Sequence, residues 1–270
     1  MSSELLPITF ISDYGYEDEF VGVCHGVIQG IAPGALVIDI AHGLPRHDVR
    51  AAALVLRNAL PYMPAGVHMA VVDPGVGTPR RPVALRAPNR RFLVGPDNGL
   101  LSLAIEKLGG VELAVDLSSS PFRLEPASAT FHGRDVFAPV AALLATGRPL
   151  EELGETFAPA ALERIALPPV TVSDGRLAAS AIYIDRFGNV QLNAGSADAA
   201  GAGLARGETL TAVAARGSRE VLYARTFADA PEGAALLYED STGALALAVN
   251  RGDAARELGV ELDSLVTLRR

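Results

Sequence analysis

The sequence predicts an α/β protein in two parts: a doubly wound N-terminal α/β domain over residues 1–165 and a smaller C-terminal antiparallel β-barrel domain over residues 166–270. Three observations carry this expectation. Up to about residue 146, near-continuous apolar runs alternate with segments of helical period, the pattern of a sheet buried on both faces. The stretch 148–169, with Pro149, Pro159, Pro168 and Pro169, then breaks that pattern and reads as a linker. Beyond it, short alternating runs are punctuated by turn signals roughly every eight to twelve residues, the spacing of a small barrel or sandwich.

Taken in order, residues 5–12, 36–41 and 67–73 are strands, rich in β-branched and apolar side chains. Residues 18–31 and 48–60 space their apolar positions by three and four and open on an acidic residue, as helix N-termini prefer. Strand, helix, strand, helix, strand implies right-handed crossovers and a layered α/β unit. Residues 83–86 and 91–94 add two strands, 100–108 and 135–145 two helices, and 160–164 a short helix inside the linker. In the second part, strands are expected at 177–184, 190–193, 209–214, 221–226, 235–239, 245–250 and 265–269, with an alanine-rich tract at 194–205.

Composition narrows the classes. With 49% hydrophobic and 20% charged residues, the chain is not intrinsically disordered. A single cysteine, Cys24, rules out a disulfide scaffold and points to a reducing compartment. No apolar run approaches the ~20 residues of a membrane span and the first residues lack a secretory pattern, so a cytoplasmic protein without a membrane partner is expected. A net charge of -8 with scattered basic residues, of which only Lys107 is a lysine, argues against a nucleic-acid partner.

Four polar, turn-rich segments follow predicted strands: 11–15 (Ile-Ser-Asp-Tyr-Gly), 72–81 (Val-Asp-Pro-Gly-Val-Gly-Thr-Pro-Arg-Arg), 95–99 (Gly-Pro-Asp-Asn-Gly) and 131–135 (Phe-His-Gly-Arg-Asp). In an open α/β sheet, ligands bind beyond the carboxyl ends of the strands, so these segments should converge. Arg80, Pro79 and Pro82 deny the 72–81 segment a dinucleotide fingerprint, and there is no phosphate loop. His42 and His47, five apart, do not fit a helical zinc pair and read as polar loop residues. Asp73, Arg80 and His132 form the sharper set: Arg supplies a positive field, Asp holds the Arg, and His accepts or relays a proton from water. The alternative is an Asp–Arg pair bracing a loop, with His132 a turn residue. In the second part, Asp185, Phe187 and Asn189 could stack and hydrogen-bond a flat heterocycle, or simply make a tight turn.

These boxes, with 130–135 (Thr-Phe-His-Gly-Arg-Asp), 185–189 (Asp-Arg-Phe-Gly-Asn) and 241–243 (Ser-Thr-Gly), resemble in order and spacing the S-adenosylmethionine hydroxide adenosyltransferase family, the hydrolytic relatives of fluorinase and chlorinase enzymes. The resemblance spans nearly the whole chain. It implies an N-terminal α/β domain, a C-terminal β-barrel, and a homotrimer with substrate between the N-terminal domain of one subunit and the C-terminal domain of the next. The implied reaction is nucleophilic substitution by water at the ribose 5′ carbon of S-adenosyl-L-methionine, giving adenosine and methionine. The resemblance assigns catalysis to Asp73, Arg80 and His132, the ribose hydroxyls to Asp13, adenine to Asn189, and the methionine end to Asp18, Asp185 and Ser241. A sulfonium leaves as a neutral thioether, so no metal or cofactor is expected.

Halide-using relatives carry a tyrosine where Asp73 stands and lack the histidine at 132, so hydrolysis is favoured over halide transfer. They have an arginine where Thr242 stands, which leaves the methionine contacts open. The seven-residue spacing from Asp73 favours Arg80 over Arg81. A non-catalytic S-adenosylmethionine binder, and a phosphoesterase ligating metal through Asp73, His132 and Asp135, are the competing readings.

Overall fold

The computed structural model describes residues 5–270. Two compact units divide the chain, the first ending at Ile165 and the second spanning Ala166–Arg270. The first is built in the order β1 (Ile8–Ser12), α1 (Phe20–Ile31), β2 (Val37–Ala41), α2 (Val49–Ala59), β3 (Val67–Val71), β4 (Pro82–Ala87), β5 (Arg91–Pro96), α3 (Ser102–Leu108), β6 (Leu113–Asp116), α4 (Ala138–Ala145) and β7 (Glu155–Phe157). The strands form one sheet in the order β2-β1-β3-β5-β4-β6-β7. Neighbours from β2 to β5 run parallel, and β4, β6 and β7 add an antiparallel flank.

Every residue of β1 and β3 is buried, which explains why their sequences lack alternation. Ile8 and Phe10 join Val67, Met69 and Val71 in a core with α1 and α4, through Cys24, Ile28, Phe137 and Val140. Helices α2 and α3 pack against each other, and α2 also meets β1, so helices form two separate layers on the sheet. Helix α2 starts where the Asp48 carboxylate caps Ala51 N at 2.9 Å.

Differences from the expected elements have local causes. Strand β7 lies inside the proline-rich stretch read as a linker; it is a three-residue edge strand, mostly exposed, and so has no apolar alternation to announce it. The short helix expected at 160–164 is only a 3₁₀ turn at Pro159–Ala161. Strand β6 was also not anticipated; it is four residues long with a buried centre.

The second unit runs β8 (Thr171–Ser173), β9 (Arg176–Ile184), β10 (Val190–Gly195), α5 (Ser196–Gly201), β11 (Thr209–Ala214), β12 (Gly217–Tyr223), β13 (Ala235–Glu239), β14 (Ala244–Val249), α6 (Ala254–Leu258) and β15 (Leu265–Arg269). Its sheet order is β10-β14-β13-β12-β11-β15-β9-β8, and pairing of β9 with β10 closes a seven-stranded barrel with β8 appended. Alternate residues such as Leu177, Leu192, Leu210, Val221, Leu237, Leu247 and Val266 fill its interior. The expectation of an antiparallel barrel needs one correction, because β12 and β13 pair in parallel. Residues 224–234 are long enough to carry the chain back to the starting end before β13, a crossover no hairpin signal marks. The helices α5 and α6 were missed because six and five residues are too few for a helical period to register.

One buried group of the first sheet makes stability depend on pH. His68 in β3 is fully buried, its Nδ1 2.9 Å from Thr9 Oγ1 and its Nε2 3.0 Å from Arg91 Nη1. A guanidinium only donates, so Nε2 accepts and the ring is neutral, its proton on Nδ1 bonded to Thr9. Burial, and next the Arg91 charge, pull its pKa from 6.5 down to about 3. Between those values the unfolded chain binds a proton that the native state does not, so stability falls as pH falls, by up to ~1.4 kcal/mol per pH unit. Urea unfolding at pH 7 and pH 4.5 should therefore show a larger loss for the wild type than for His68→Gln; equal losses would contradict this assignment.

Candidate active site

The parallel strands of the first sheet end in the loops that carry the predicted residues. Beyond β3, Asp73 begins a pair of tight turns: Val76 N reaches Asp73 O at 3.2 Å and Thr78 N reaches Gly75 O at 3.1 Å. The turns fold the chain back, so Arg80, seven residues later, meets the Asp73 carboxylate. Arg80 Nε donates to Asp73 Oδ1 at 2.8 Å and Nη2 donates to Oδ2, a bidentate pair whose side chains are 9% and 6% exposed. The same Nη2 lies 2.9 Å from His132 Nδ1. Asp73, Arg80 and His132, 52 residues apart at their widest bond, thus form one hydrogen-bonded group.

This contact fixes the state of His132. Arg80 can only donate, so Nδ1 accepts and the ring proton of the neutral imidazole sits on Nε2. Burial, and then the Arg80 charge, hold the pKa of His132 below 6.5 against the opposing pull of Asp73 and Asp135. Arg80 also lies with its Cζ 5.6 Å from the Phe137 ring centroid. Its Nη1 is buried, and among the described residues it has no hydrogen-bond partner. An unmet guanidinium donor in such a place is costly unless something else accepts from it.

His132 precedes a π-helical turn at Gly133–Phe137 that runs directly into α4; the helix expected at 135–145 therefore begins earlier, with a wide turn. Asp135 is 1% exposed and receives Arg134 Nε at 2.6 Å and Ser128 N at 2.7 Å, so it ties down the segment leading to Thr130–His132. Its oxygens serve this loop, and among the described residues no group of three or more His, Cys, Asp or Glu side chains is placed to hold a metal.

A cavity of about 370 Å³ opens in this first unit. Asp73 and His132 line it, as do Asp13 and Asp18; Arg80 stands behind them and does not line it. Asp13 follows β1, and its Oδ2 accepts His47 N at 2.9 Å, with His47 in a left-handed conformation (φ 65°). Tyr14, Phe20 and Phe131 build an aromatic wall, with Phe131 edge-on to Tyr14 and Phe20 at centroid distances of 5.8 and 5.1 Å. The Tyr14 phenol is driven well above its usual pKa, mainly by burial and then by Cys24, Asp13 and Asp73, so it stays protonated. Its hydroxyl lies directly over Gly133, where any Cβ would overlap it. The wall, three carboxylates and a neutral phenol suit a flat, hydroxyl-bearing, positively charged ligand.

Several neighbours of the predicted residues have structural jobs. Arg81 turns away from Asp73: its Nη2 donates to Asp97 at 2.7 Å and to the Ala161 carbonyl, and its Cζ lies 4.4 Å from the Phe157 centroid. Of the two arginines, Arg80 is the one bonded to Asp73 and His132 among the described residues. In the 95–99 segment, Asn98 Nδ2 donates to Val72 O at 3.0 Å, bracing the loop before Asp73 from outside the cavity. His42, read as a polar loop residue, does lie in the loop just past β2 and is buried there, with Nδ1 2.6 Å from Ser12 Oγ. The sequence reading also missed Phe20, Arg46 and His47 as lining residues. An aromatic opening α1 was the available signal for Phe20, whereas nothing marks Arg46 and His47 before the loop is folded.

In the second unit, Asp185, Phe187 and Asn189 sit in the turn joining β9 and β10. Asp185 Oδ1 accepts Phe187 N at 2.8 Å and Asn189 N at 2.9 Å, and Oδ2 accepts Asn189 Nδ2 at 2.8 Å. The tight-turn alternative is therefore realised, and Asn189 keeps its amide oxygen clear of that carboxylate. Phe187 is 66% exposed at the turn tip. Ser241 lies in the exposed β13–β14 turn, which Asp240 orders by accepting Thr242 N at 2.7 Å. Gln191 Nε2 bridges Asp240 and Thr242 at 2.6 and 3.0 Å. Burial, with Asp185 and Asp240, pushes the Tyr238 hydroxyl up to about 12.

A sheet with a buried Asp–Arg–His group beside an acidic, aromatic cavity, followed by a closed barrel, defines a two-domain protein built for a small cationic ligand. The comparisons identify the family. The SAM hydroxide adenosyltransferase N-terminal domain matches residues 8–154 and its C-terminal domain residues 179–267, and the chain belongs to that family. It is 50% identical to the (R)-S-adenosyl-L-methionine hydrolase of Salinispora arenicola over 94% of each chain. A fluorinase from Actinoplanes sp. is more distant, at 32% identity over 97% of this chain and 96% of that one. Among solved structures, a conserved protein from Thermotoga maritima superposes with a TM-score of 0.90 at 34% identity, over 97% of this chain and all of that one.

The division of labour between the arginines is measurable. Arg81→Ala should lower unfolding free energy by roughly 2 kcal/mol, because Asp97 stays buried without its partner. Chemical denaturation should read this loss, and an unchanged midpoint would contradict the structural role.

Proposed function

We propose that the protein is a metal-independent hydrolase that cleaves S-adenosyl-L-methionine to adenosine and L-methionine. The observation that carries this reading is Arg80: a buried guanidinium fixed by Asp73 and His132, whose Nη1 amino group lacks an acceptor among the described residues. A hydroxide is the acceptor such a donor suits. The relatives at high identity are named for the (R) sulfonium epimer, and we take that epimer as this chain's substrate.

Water bound near Arg80 loses a proton to His132. As Nδ1 takes that proton its hydrogen bond from Arg80 Nη2 breaks, and this N–H, still on the guanidinium, turns to hydrogen-bond the new hydroxide. The hydroxide attacks the ribose 5′ carbon, the C–S bond breaks, and its electron pair stays on sulfur as the neutral thioether of methionine. The leaving group needs no acid and no metal or other cofactor. Holding the nucleophile opposite the C–S bond, in a site poor in water, supplies the rate. The negative carboxylate of Asp73 disfavours a halide at the same place.

Asp13 takes the ribose hydroxyls, the Asn189 amide meets adenine with Phe187 stacking on it, and Asp18, Asp185 and Ser241 attend the methionine end. Phe187, an exposed aromatic at a turn tip, supports a homotrimer in which the second domain of one subunit completes the cavity of the next. The protein works in the cytoplasm. No helix among the described residues is long and apolar enough to cross a membrane.

Incubation in ¹⁸O water should give adenosine labelled at its 5′ oxygen and methionine in equal amounts, faster from the (R) epimer and unchanged by EDTA. Tight binding without adenosine would leave a sensor, and a 5′-halogenated product would leave a halide transferase. His132→Ala and Asp73→Ala should each lower kcat by about 100- to 1,000-fold with little change in substrate affinity. Asn189→Ala should mainly raise KM. Since His132 works as the neutral ring and its pKa is depressed, the acid limb of kcat/KM should fall below pH 6.5. A limb well above that value would remove His132 as the group responsible.

A further inference from the structure

Outside the cavity lies a buried polar pair, Ser12 and His42, that the proposed reaction does not use. Strands β1 and β2 are parallel neighbours, which sets Ser12 at the end of one beside His42 just past the end of the other. Both side chains are sealed, at 0% and 1% exposure. Tyr14 N donates to Ser12 Oγ at 3.3 Å, and Ser12 Oγ lies 2.6 Å from His42 Nδ1. On the other side, His42 Nε2 is 3.1 Å from Asp39 Oδ1, which also receives His25 Nε2 at 2.9 Å. The negative charge of Asp39 favours the ring proton on Nε2, so Nδ1 accepts the Ser12 hydroxyl and that hydroxyl accepts from Tyr14 N; the Nε2 approach to Asp39 itself lacks hydrogen-bond geometry.

His42 holds the same turn at a second point, because its carbonyl accepts Gly15 N at 2.7 Å. Its ring is wedged edge-on between Phe10 and Tyr16, at centroid distances of 4.5 and 5.1 Å. The turn gripped in this way is Ser12–Gly15, and the two residues inside it, Asp13 and Tyr14, line the cavity while Ser12 and His42 do not. The titratable groups facing His42 are Asp39, His25 and Tyr16, none of which lines the cavity.

We propose that Ser12 and His42 form a buried relay that positions the Asp13–Tyr14 turn for the nucleoside half of the substrate, making them positioning residues. The placement rests on the proposed function, since Asp13 is taken to hold the ribose. A strand end has few backbone bonds of its own, so its last residues hold their direction only if side chains hold it for them. Losing the Ser12 hydroxyl frees Tyr14 N and His42 Nδ1 together, and Asp13 loses its fixed aim.

The test is adenosine binding by calorimetry, alongside kcat and KM with S-adenosylmethionine, for wild type, Ser12→Ala, His42→Leu and His42→Asn. Ser12→Ala and His42→Leu should weaken adenosine binding and raise KM by about tenfold, with kcat within about twofold. His42→Asn, whose amide oxygen can replace Nδ1 as acceptor for Ser12, should recover most of the affinity, which a purely steric role would not explain. Should His42→Leu fail to fold, Ser12→Ala, which loses only one oxygen, carries the measurement. Unchanged adenosine affinity in folded Ser12→Ala, or His42→Asn as impaired as His42→Leu, overturns the relay. A wild type that binds adenosine but releases none from S-adenosylmethionine overturns the hydrolase reading instead, and the adenosine titrations still decide the relay.

Discussion

The bidentate pair between Asp73 and Arg80 is the constraint around which the first domain's functional end is arranged. Removing two charges from water costs more than their attraction returns unless geometry is good and the remaining donors are met. The chain answers this with two tight turns that deliver Arg80 to Asp73 at 2.8 Å, and with His132 brought from a distant loop to accept a further donor. Much of the surrounding structure serves that arrangement. Asn98 fixes the carbonyl of Val72, Asp135 ties down the segment before His132, and Phe137 covers the guanidinium. One donor is still left over, and an enzyme can use such a deficit because it is filled best by a negative oxygen.

Charge is distributed in the same spirit. The chain carries a net -8, yet what matters at the cavity is three carboxylates, Asp13, Asp18 and Asp73, beside the Phe20 and Phe131 rings and the neutral Tyr14 phenol. A substrate with a sulfonium and an ammonium group is drawn by such a field, while the buried Arg80 prevents the field from being uniformly negative at the point where a hydroxide must sit.

Legibility in the sequence followed the physics of each element. Strands buried on both faces, such as β1 and β3, announce themselves as unbroken apolar runs, and helices long enough for two turns show their period. Strand β7 and helices α5 and α6 are too short or too exposed to do so, and the parallel seam between β12 and β13 depends on a crossover that leaves no local mark. At the site, the spacing of Asp73 and Arg80 was readable because two glycine-rich turns have a fixed reach. The different partner of Arg81, Asp97, becomes visible only in the folded chain. Asp185 and Asn189 bond to each other inside the tight turn that the sequence offers as one of two readings. Ser12 and His42, 30 residues apart, become neighbours only through the order of the strands.

The π-helical turn at Gly133–Phe137 has a bearing on how His132 is aimed. Relative to an α-helix, a π turn holds one additional residue, and each residue of a helix advances the chain by about 100°. The direction of His132 is therefore set by a residue count as much as by residue identity. Removing one position from the turn would leave α4 packed as before while rotating the imidazole off Arg80. A deletion inside Gly133–Phe137 would therefore change the aim of His132 without altering any residue that hydrogen-bonds Arg80.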